Sequence, residues 1–293
     1  MSGELDFIEL LRAAPLHPGA RGLEDDAAVL AIGGETLVLT HDMLVEGVHT
    51  AEGQDPADVA WKLVATNLSD LAAKGAQPLG VLVGFMLGEG DEHFVRGLRE
   101  ALESFHTPLL GGDTVSGGPP RSYGLTAIGR ATHVPVPARS GAQAGDALYV
   151  TGTLGAALAG YEAFQAGDRE AAQPYLRPTP QLAAGQALAP VVTAMMDVSD
   201  GLLLDAWRMA SASGVTFEID PTSVPIALPD ARRAEALRWG DDYQLLFTAP
   251  DGADLPFPAV RIGTAMPLFE GAQLKLEGEL IRNPDGLGYS HES

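Results

Sequence analysis

The stretch Asp58–Ala73 carries Ala60, Leu63, Val64, Leu68 and Leu71 at helical spacing, which predicts a helix with one apolar stripe. On a wheel of about 100° per residue, Asn67 falls inside that stripe and Asp70 at its edge. A buried amide must find hydrogen-bond partners, and a carboxylate beside it is costly unless paired. Lysine partners are scarce, because the chain has only Lys62, Lys74 and Lys275. A metal ion is the alternative, and hard carboxylate oxygens suit Mg2+ better than Zn2+. Whatever fold this chain adopts must bring compensating charge to the buried side of this helix.

The same helix supplies one of five Asp-bearing segments at predicted strand ends or helix starts, where open α/β folds place their ligands. They are Glu24-Asp25-Asp26-Ala27-Ala28, Thr40-His41-Asp42, Asn67-Leu68-Ser69-Asp70, Gly111-Gly112-Asp113-Thr114 and Asp197-Val198-Ser199-Asp200-Gly201. Taken singly, each also reads as a turn, a strand end or a helix cap. The charge balance favours a joint reading. With 39 acidic and 18 basic residues the net charge is −21, which repels nucleic acid and anionic lipid. Phosphorylated small molecules are repelled too, unless cations held by carboxylates reverse the local sign. No P-loop, protein-kinase motif set, Gly-x-Ser-x-Gly elbow or His-Glu-x-x-His occurs, and with no Cys there is no disulfide or thiolate chemistry.

The 293 residues suit one large or two ordinary domains. Two β-rich runs, Ala27–Ile32 and Thr36–Thr40, predict a hairpin across Gly33-Gly34-Glu35. The helix Asp58–Ala73, strand Leu79–Leu87, helix Glu92–Phe105, a strand into Gly111-Gly112-Asp113 and strand Tyr123–Arg130 follow, an order expected of an α+β, ferredoxin-like first domain. Thr132–Gly145, with two prolines and two glycines, reads as the linker. Strand Ala147–Thr151, helix Ala156–Ala166, strand Val191–Met196, helix Gly201–Ser213, strand Val215–Asp220, helix Asp230–Arg238 and strand Tyr243–Thr248 then make a second α/β unit. The turn Gly152–Gly155 reads as structural rather than phosphate-binding, and Arg177 and Arg232-Arg233 as surface cations. No apolar run approaches the ~20 residues of a bilayer span, and the acidic start Met1–Leu11 is wrong for a targeting peptide, so a cytoplasmic home is expected.

Read in order, these segments resemble the thiamine-monophosphate kinase family, in the superfamily of aminoimidazole ribonucleotide synthetase and selenophosphate synthetase. The matching residues are Asp25-Asp26-Ala27-Ala28, Asp42 through His49, Asn67 through Ala73 and Gly111-Gly112-Asp113-Thr114. They continue through Arg139-Ser140-Gly141-Ala142, Thr151 through Gly155, Leu176-Arg177-Pro178, Asp197 through Leu202, Trp239 through Tyr243 and Gly288-Tyr289. The resemblance implies a two-domain fold with boundaries near 1–135 and 136–293, a homodimer joined through its first domains, and transfer of the γ-phosphoryl of ATP to thiamine monophosphate. It further implies several Mg2+ ions on Asp26, Asp42, Asp70, Asp113, Asp197 and Asp200, with Thr40 and His41 flanking Asp42 in that metal set. ATP would meet Gly112, Asp113, Arg139 and Ser199; His49, Asp241 and Tyr289 would contact thiamine monophosphate.

Several positions depart from the family pattern. Glu24 stands where a Gly usually precedes the Asp pair, His41 replaces a Thr, Asp241 and Gln244 replace Glu, and Gly288-Tyr289-Ser290-His291 is a worn form of the family ending. Two alternatives stay open here: a sister ATP-dependent synthetase, and a non-catalytic relative that binds nucleotide.

Overall fold

A computed structural model describes residues 4–289. Ser290 and His291 of the family ending lie outside the described residues. The first unit runs α1 (Glu4–Leu11), β1 (Ala28–Ile32), β2 (Glu35–Val45), α2 (Pro56–Ala73), β3 (Ala76–Leu87), α3 (Asp91–Ser104), β4 (Leu109–Ser116) and β5 (Ser122–Ala131). Its five strands form one mixed sheet in the order β1-β2-β5-β3-β4, with β3 and β4 parallel and the other neighbours antiparallel. This is the expected α+β layer, and α2 and α3 cover one of its faces.

The second unit runs β6 (Ala147–Val150), α4 (Ala156–Gln165), α5 (Gln173–Leu176), α6 (Leu182–Leu188), β7 (Ala194–Asp197), α7 (Leu202–Ser213), β8 (Val215–Ile219), α8 (Arg233–Ala236), β9 (Leu245–Ala249), β10 (Val260–Pro267), β11 (Leu274–Leu276) and β12 (Glu279–Ile281). Its seven strands are ordered β12-β11-β8-β10-β6-β9-β7. The sequence offered no signal for the last three: β11 and β12 are three residues each, and β10 is interrupted by a register shift between Arg261 and Gly263. The helix expected over Asp230–Arg238 is a 3-10 turn at Asp230–Arg232 followed by the single turn of α8.

Helix α2 joins the two units. It opens at Asp55, whose side chain accepts the Ala57 N–H at 2.9 Å, with Pro56 in the first turn where a missing N–H costs nothing. Every residue in it except Pro56 and Trp61 is buried. Leu63, Val64, Leu68 and Leu71 pack with Val38, Leu125 and Ala127 of the first sheet. Ala72 and Ala73, at its end, pack on Met195, Leu245 and Phe247 of the second sheet and on Leu188 of α6. Near its start the buried Asp58 pairs with Arg169 at 2.7 Å and with Arg177 at 2.6 Å, and Arg177 also reaches Glu100 at 2.9 Å. Arg177 is therefore an inter-unit clamp and not the surface cation its position beside Pro178 suggested.

Strand alternation sets what faces this helix. Along β2, Val38, Thr40 and Leu44 are buried on the α2 side, while His41 and Met43 are exposed on the other. The hairpin strand expected to end at Thr40 runs on to Val45, which carries Asp42 into the strand on the helix side.

The two units approach closely at Gly185 of α6, where a Cβ would lie 1.9 Å from the Ala72 carbonyl oxygen. Gly185→Ala is predicted to push α6 off α2 and lower stability by about 1–3 kcal/mol, read as a lower urea midpoint with unchanged slope.

Candidate active site

The acidic segments converge at the seam from different elements. Asp26 precedes β1, Asp42 lies on β2, Asp70 on α2, Asp197 ends β7 and Asp200 sits in the turn before α7. One carboxylate oxygen each from Asp26, Asp70 and Asp197 lies within 4.8 Å of the others. These residues line a cavity of about 1310 Å³ together with Asp42, Asp200, Ser199, Arg139, His49, Asp241 and Tyr289. A second groove of about 460 Å³, against β8 and β10, holds none of the predicted residues.

Each acid is fixed by a named hydrogen-bond partner. Asn67, the polar residue inside the apolar stripe, accepts the Asp42 N–H at 3.0 Å and donates to the Leu63 carbonyl at 2.9 Å, so its burial is satisfied within the site. Thr40 donates to the Asp70 carboxylate. Ser69, one residue away on α2, donates to Asp197 at 2.6 Å and so ties the two units together. Asp26 is gripped by Arg139, with Nε at 3.0 Å, and by Lys74 at 2.6 Å; Lys74 also reaches Asp25 at 2.5 Å. The scarcity of lysines thus misled: two of the three serve this cavity, Lys74 behind Asp26 and Lys62 against Asp241.

Burial and crowding decide the protonation states. Asp26 is driven well below the usual carboxylate range, because Arg139 and Lys74 outweigh the cost of its burial. Asp42 is pushed up to about 6 by burial and by the charges of Asp26 and Asp200. Asp197 is pushed up to about 8 by burial and then by Asp26. Asp70 rises well above its ordinary value, through burial and then the neighbouring Asp42 and Asp197. The chain's own cations are too few to let all of these ionise together. An all-oxygen donor set, buried and short of positive charge, fits a hard divalent cation such as Mg2+.

At the other end of the cavity the side chains change character. Asp241 accepts from Lys62 at 2.6 Å and from the Tyr243 hydroxyl at 2.8 Å. Lys62 also donates to the His49 carbonyl at 3.0 Å, and the His49 ring accepts the Val45 N–H through Nδ1 at 3.1 Å. Tyr161 stands 5.3 Å from Tyr175 and 5.4 Å from Trp239, and all three line the cavity. The loops here interleave: Asp241 N–H donates to the Ser199 carbonyl at 2.8 Å, and Tyr289 N–H to the Asp200 carbonyl at 2.9 Å. This explains two motif glycines, since a Cβ on Gly240 would lie 2.0 Å from the Ser199 oxygen and one on Gly288 2.3 Å from the Asp200 oxygen.

Three predicted residues are not brought to the cavity within one chain. His41 points away, its Nδ1 2.9 Å from the Thr126 hydroxyl on the exposed face of the sheet, because β2 alternation that buries Thr40 must turn the next side chain outward. Gly112 and Asp113 lie on β4, the edge strand, and Asp113 is exposed, its carboxylate accepting the Thr114 N–H at 2.9 Å. The turn Gly152–Gly155 holds no free phosphate cradle: Asp242 accepts Gly155 N–H at 2.6 Å and Ala157 N–H at 3.0 Å, occupying the start of α4. Sequence reasoning also missed Asp205 and Arg208. Asp205 accepts the N–H groups of Ser199 and Asp200, each at 3.0 Å, and Arg208 pairs with Asp200. Their spacing of five and eight residues after Asp200, on the helix that follows, was the available signal.

Comparison with known proteins gives the family. Residues 24–131 match the model for the N-terminal domain of AIR synthase related proteins, and residues 143–256 match that for the C-terminal domain. The thiamine-monophosphate kinase of Salmonella typhimurium is 36% identical, with 92% of this chain and 91% of that protein covered. That of Caulobacter vibrioides is 34% identical over 98% and 90%. A solved structure, AaThiL complexed with AMPPCP and TMP, superposes with a TM-score of 0.86 at 29% identity, covering 99% of this chain and 97% of that one. The chain belongs to the thiamine-monophosphate kinase family within the AIR synthase related proteins.

The crowding has a thermodynamic consequence. Above about pH 4 the unfolded chain has released protons that the cation-free fold still holds on Asp42, Asp70 and Asp197, so stability falls as pH rises toward 8. Asp26 acts oppositely, but only below about pH 4. The thermal midpoint of the cation-free protein should drop between about pH 5 and pH 8. Asp197→Asn should lessen that drop and saturating Mg2+ should remove it. A midpoint that climbs over this range would contradict the crowding.

Proposed function

We propose that this chain is a cytoplasmic thiamine-monophosphate kinase that transfers the γ-phosphoryl group of ATP to the phosphate of thiamine monophosphate, giving thiamine diphosphate and ADP. The observation that carries this reading is the meeting of Asp26, Asp70 and Asp197, from both units, within 4.8 Å in a cavity large enough for two substrates. AMPPCP is a non-hydrolysable analogue of ATP, so the relative solved with AMPPCP and TMP supports the same substrate pair.

In the proposed reaction an acceptor phosphate oxygen attacks Pγ, and the bond from Pγ to the β-phosphate oxygen breaks. The nucleophile is already ionised at neutral pH, so no general base is required and positioning with charge neutralisation suffices. Asp26, Asp42, Asp70, Asp197 and Asp200 would hold Mg2+, with Thr40 orienting Asp70 and Ser69 orienting Asp197. Divalent ions held there would supply positive charge to offset that of the phosphates. Arg139 and Ser199 line the cavity beside the acids and would meet ATP. Asp241, with the Tyr161 and Trp239 rings, suits the cationic thiazolium of thiamine, and His49 and Tyr289 would contact the same substrate. The chain would work as a homodimer, because the first sheet leaves Met43 and Leu82 exposed and its edge strand exposes Leu109, Leu110 and Val115. Gly112 and Asp113 sit on that edge, so a part for them in nucleotide binding requires the second copy; sedimentation should give twice the 30.5 kDa chain mass.

A coupled assay of thiamine diphosphate formation tests the reading. Activity should require ATP and Mg2+ and fall about 100-fold or more in Asp42→Asn. His49→Ala should raise the KM for thiamine monophosphate with a smaller effect on kcat. ATP binding without turnover would identify a non-catalytic relative, and turnover indifferent to Mg2+ and to Asp42 would refute the proposed centre.

A further inference from the structure

Lys74 caps the C-terminal end of α2, with its side chain fully shielded, 0% exposed. Its ammonium lies 2.5 Å from Asp25 and 2.6 Å from Asp26, and it donates to the Met195 carbonyl at 3.2 Å. Burying an ammonium is expensive, and long cationic side chains ordinarily reach for water instead. Each carboxylate has a second cation as well: Asp25 also pairs with Arg21, and Asp26 with Arg139. The surroundings do not call for a charge either, since Ala72 and Ala73, the last residues of α2, sit in an apolar cluster with Met195 and Leu245. What distinguishes the position is that Asp26 is also one of the three carboxylates within 4.8 Å.

We propose that Lys74 is a positioning residue that serves as a built-in counter-ion. By holding Asp26 from behind, it keeps the acidic cage from loading a divalent cation until the phosphate oxygens of the nucleotide arrive as further ligands. The inference rests on the divalent-cation reading of the cage. A fixed positive charge a few ångströms from a divalent ion repels it in a medium less polar than water. It also engages a carboxylate oxygen the ion would otherwise use. Nucleotide oxygens add negative charge and ligands, and so offset both effects.

The test is Mn2+ titration of the full chain without nucleotide, read by the loss of free-Mn2+ electron paramagnetic resonance signal at fixed pH and ionic strength. Lys74→Met and Lys74→Gln, two neutral variants of similar length, should bind Mn2+ about tenfold or more tighter than the wild type. Lys74→Arg, which keeps the charge, should stay near the wild type. With AMPPCP present the gap between the neutral variants and the wild type should narrow. Neutral variants that bind Mn2+ no more tightly than the wild type, while circular dichroism shows either of them folded, would overturn the inference and leave Lys74 a packing residue. Failure of every form to bind Mn2+ even with AMPPCP would overturn the divalent cage itself, and this inference with it.

Discussion

Mutual repulsion among buried carboxylates is what the rest of this structure has to contain. Asp26, Asp70 and Asp197 come from a loop, a helix and the end of a strand, yet one oxygen of each lies within 4.8 Å of the others at the wall of the cavity. Uncompensated, such a group costs several kcal/mol per charge. The protein meets that cost with proton retention on some acids and with Lys74 and Arg139 on another. Helix α2 anchors the arrangement: Asp70, which sits in the cage, and Ser69, which donates to Asp197, are on the buried helix that packs on both sheets. Such crowding fits the divalent cation that the proposed reaction calls for.

The same constraint explains how a chain of net charge −21 handles two phosphorylated molecules. Long-range repulsion is a property of the whole surface, but transfer is governed by the few ångströms around the reacting phosphorus. There the chain places Arg139 and Arg208 along the cavity and leaves the acids to gather further positive charge. The far end, with Tyr161, Trp239 and the Lys62–Asp241 pair, offers aromatic faces and a carboxylate, the end the proposed reading gives to the thiazolium ring. One cavity therefore has two chemistries, an acidic end and an aromatic one.

Much of this was legible before the coordinates. The polar residues in the apolar stripe of α2 announced a buried polar site, and Asn67 and Asp70 are both part of it. The acidic segments Asp25-Asp26, Asp42, Asp70 and Asp197 through Asp200 all reach the cavity, as their repeated placement at element boundaries indicated. Other features depended on information a linear pattern does not carry. His41 is adjacent to a site residue but faces the other side of the sheet, because two neighbours on a strand cannot share a face. Asp113 follows a glycine pair just as a ligand-binding turn would, yet its strand is the sheet edge, a fact set by strand order. Lys62 and Lys74 were discounted for being few, when the relevant quantity was where α2 would bury them. Arg177 and Asp58 are 119 residues apart, and only the packing of the two units pairs them.

The most direct measurement is anomalous X-ray scattering from crystals grown with Mn2+ and AMPPCP. The account predicts manganese peaks within coordinating distance of Asp26, Asp70 and Asp197, on the side of the cavity that also holds the terminal phosphate of the analogue. A bound analogue with no anomalous density near those three carboxylates would contradict it.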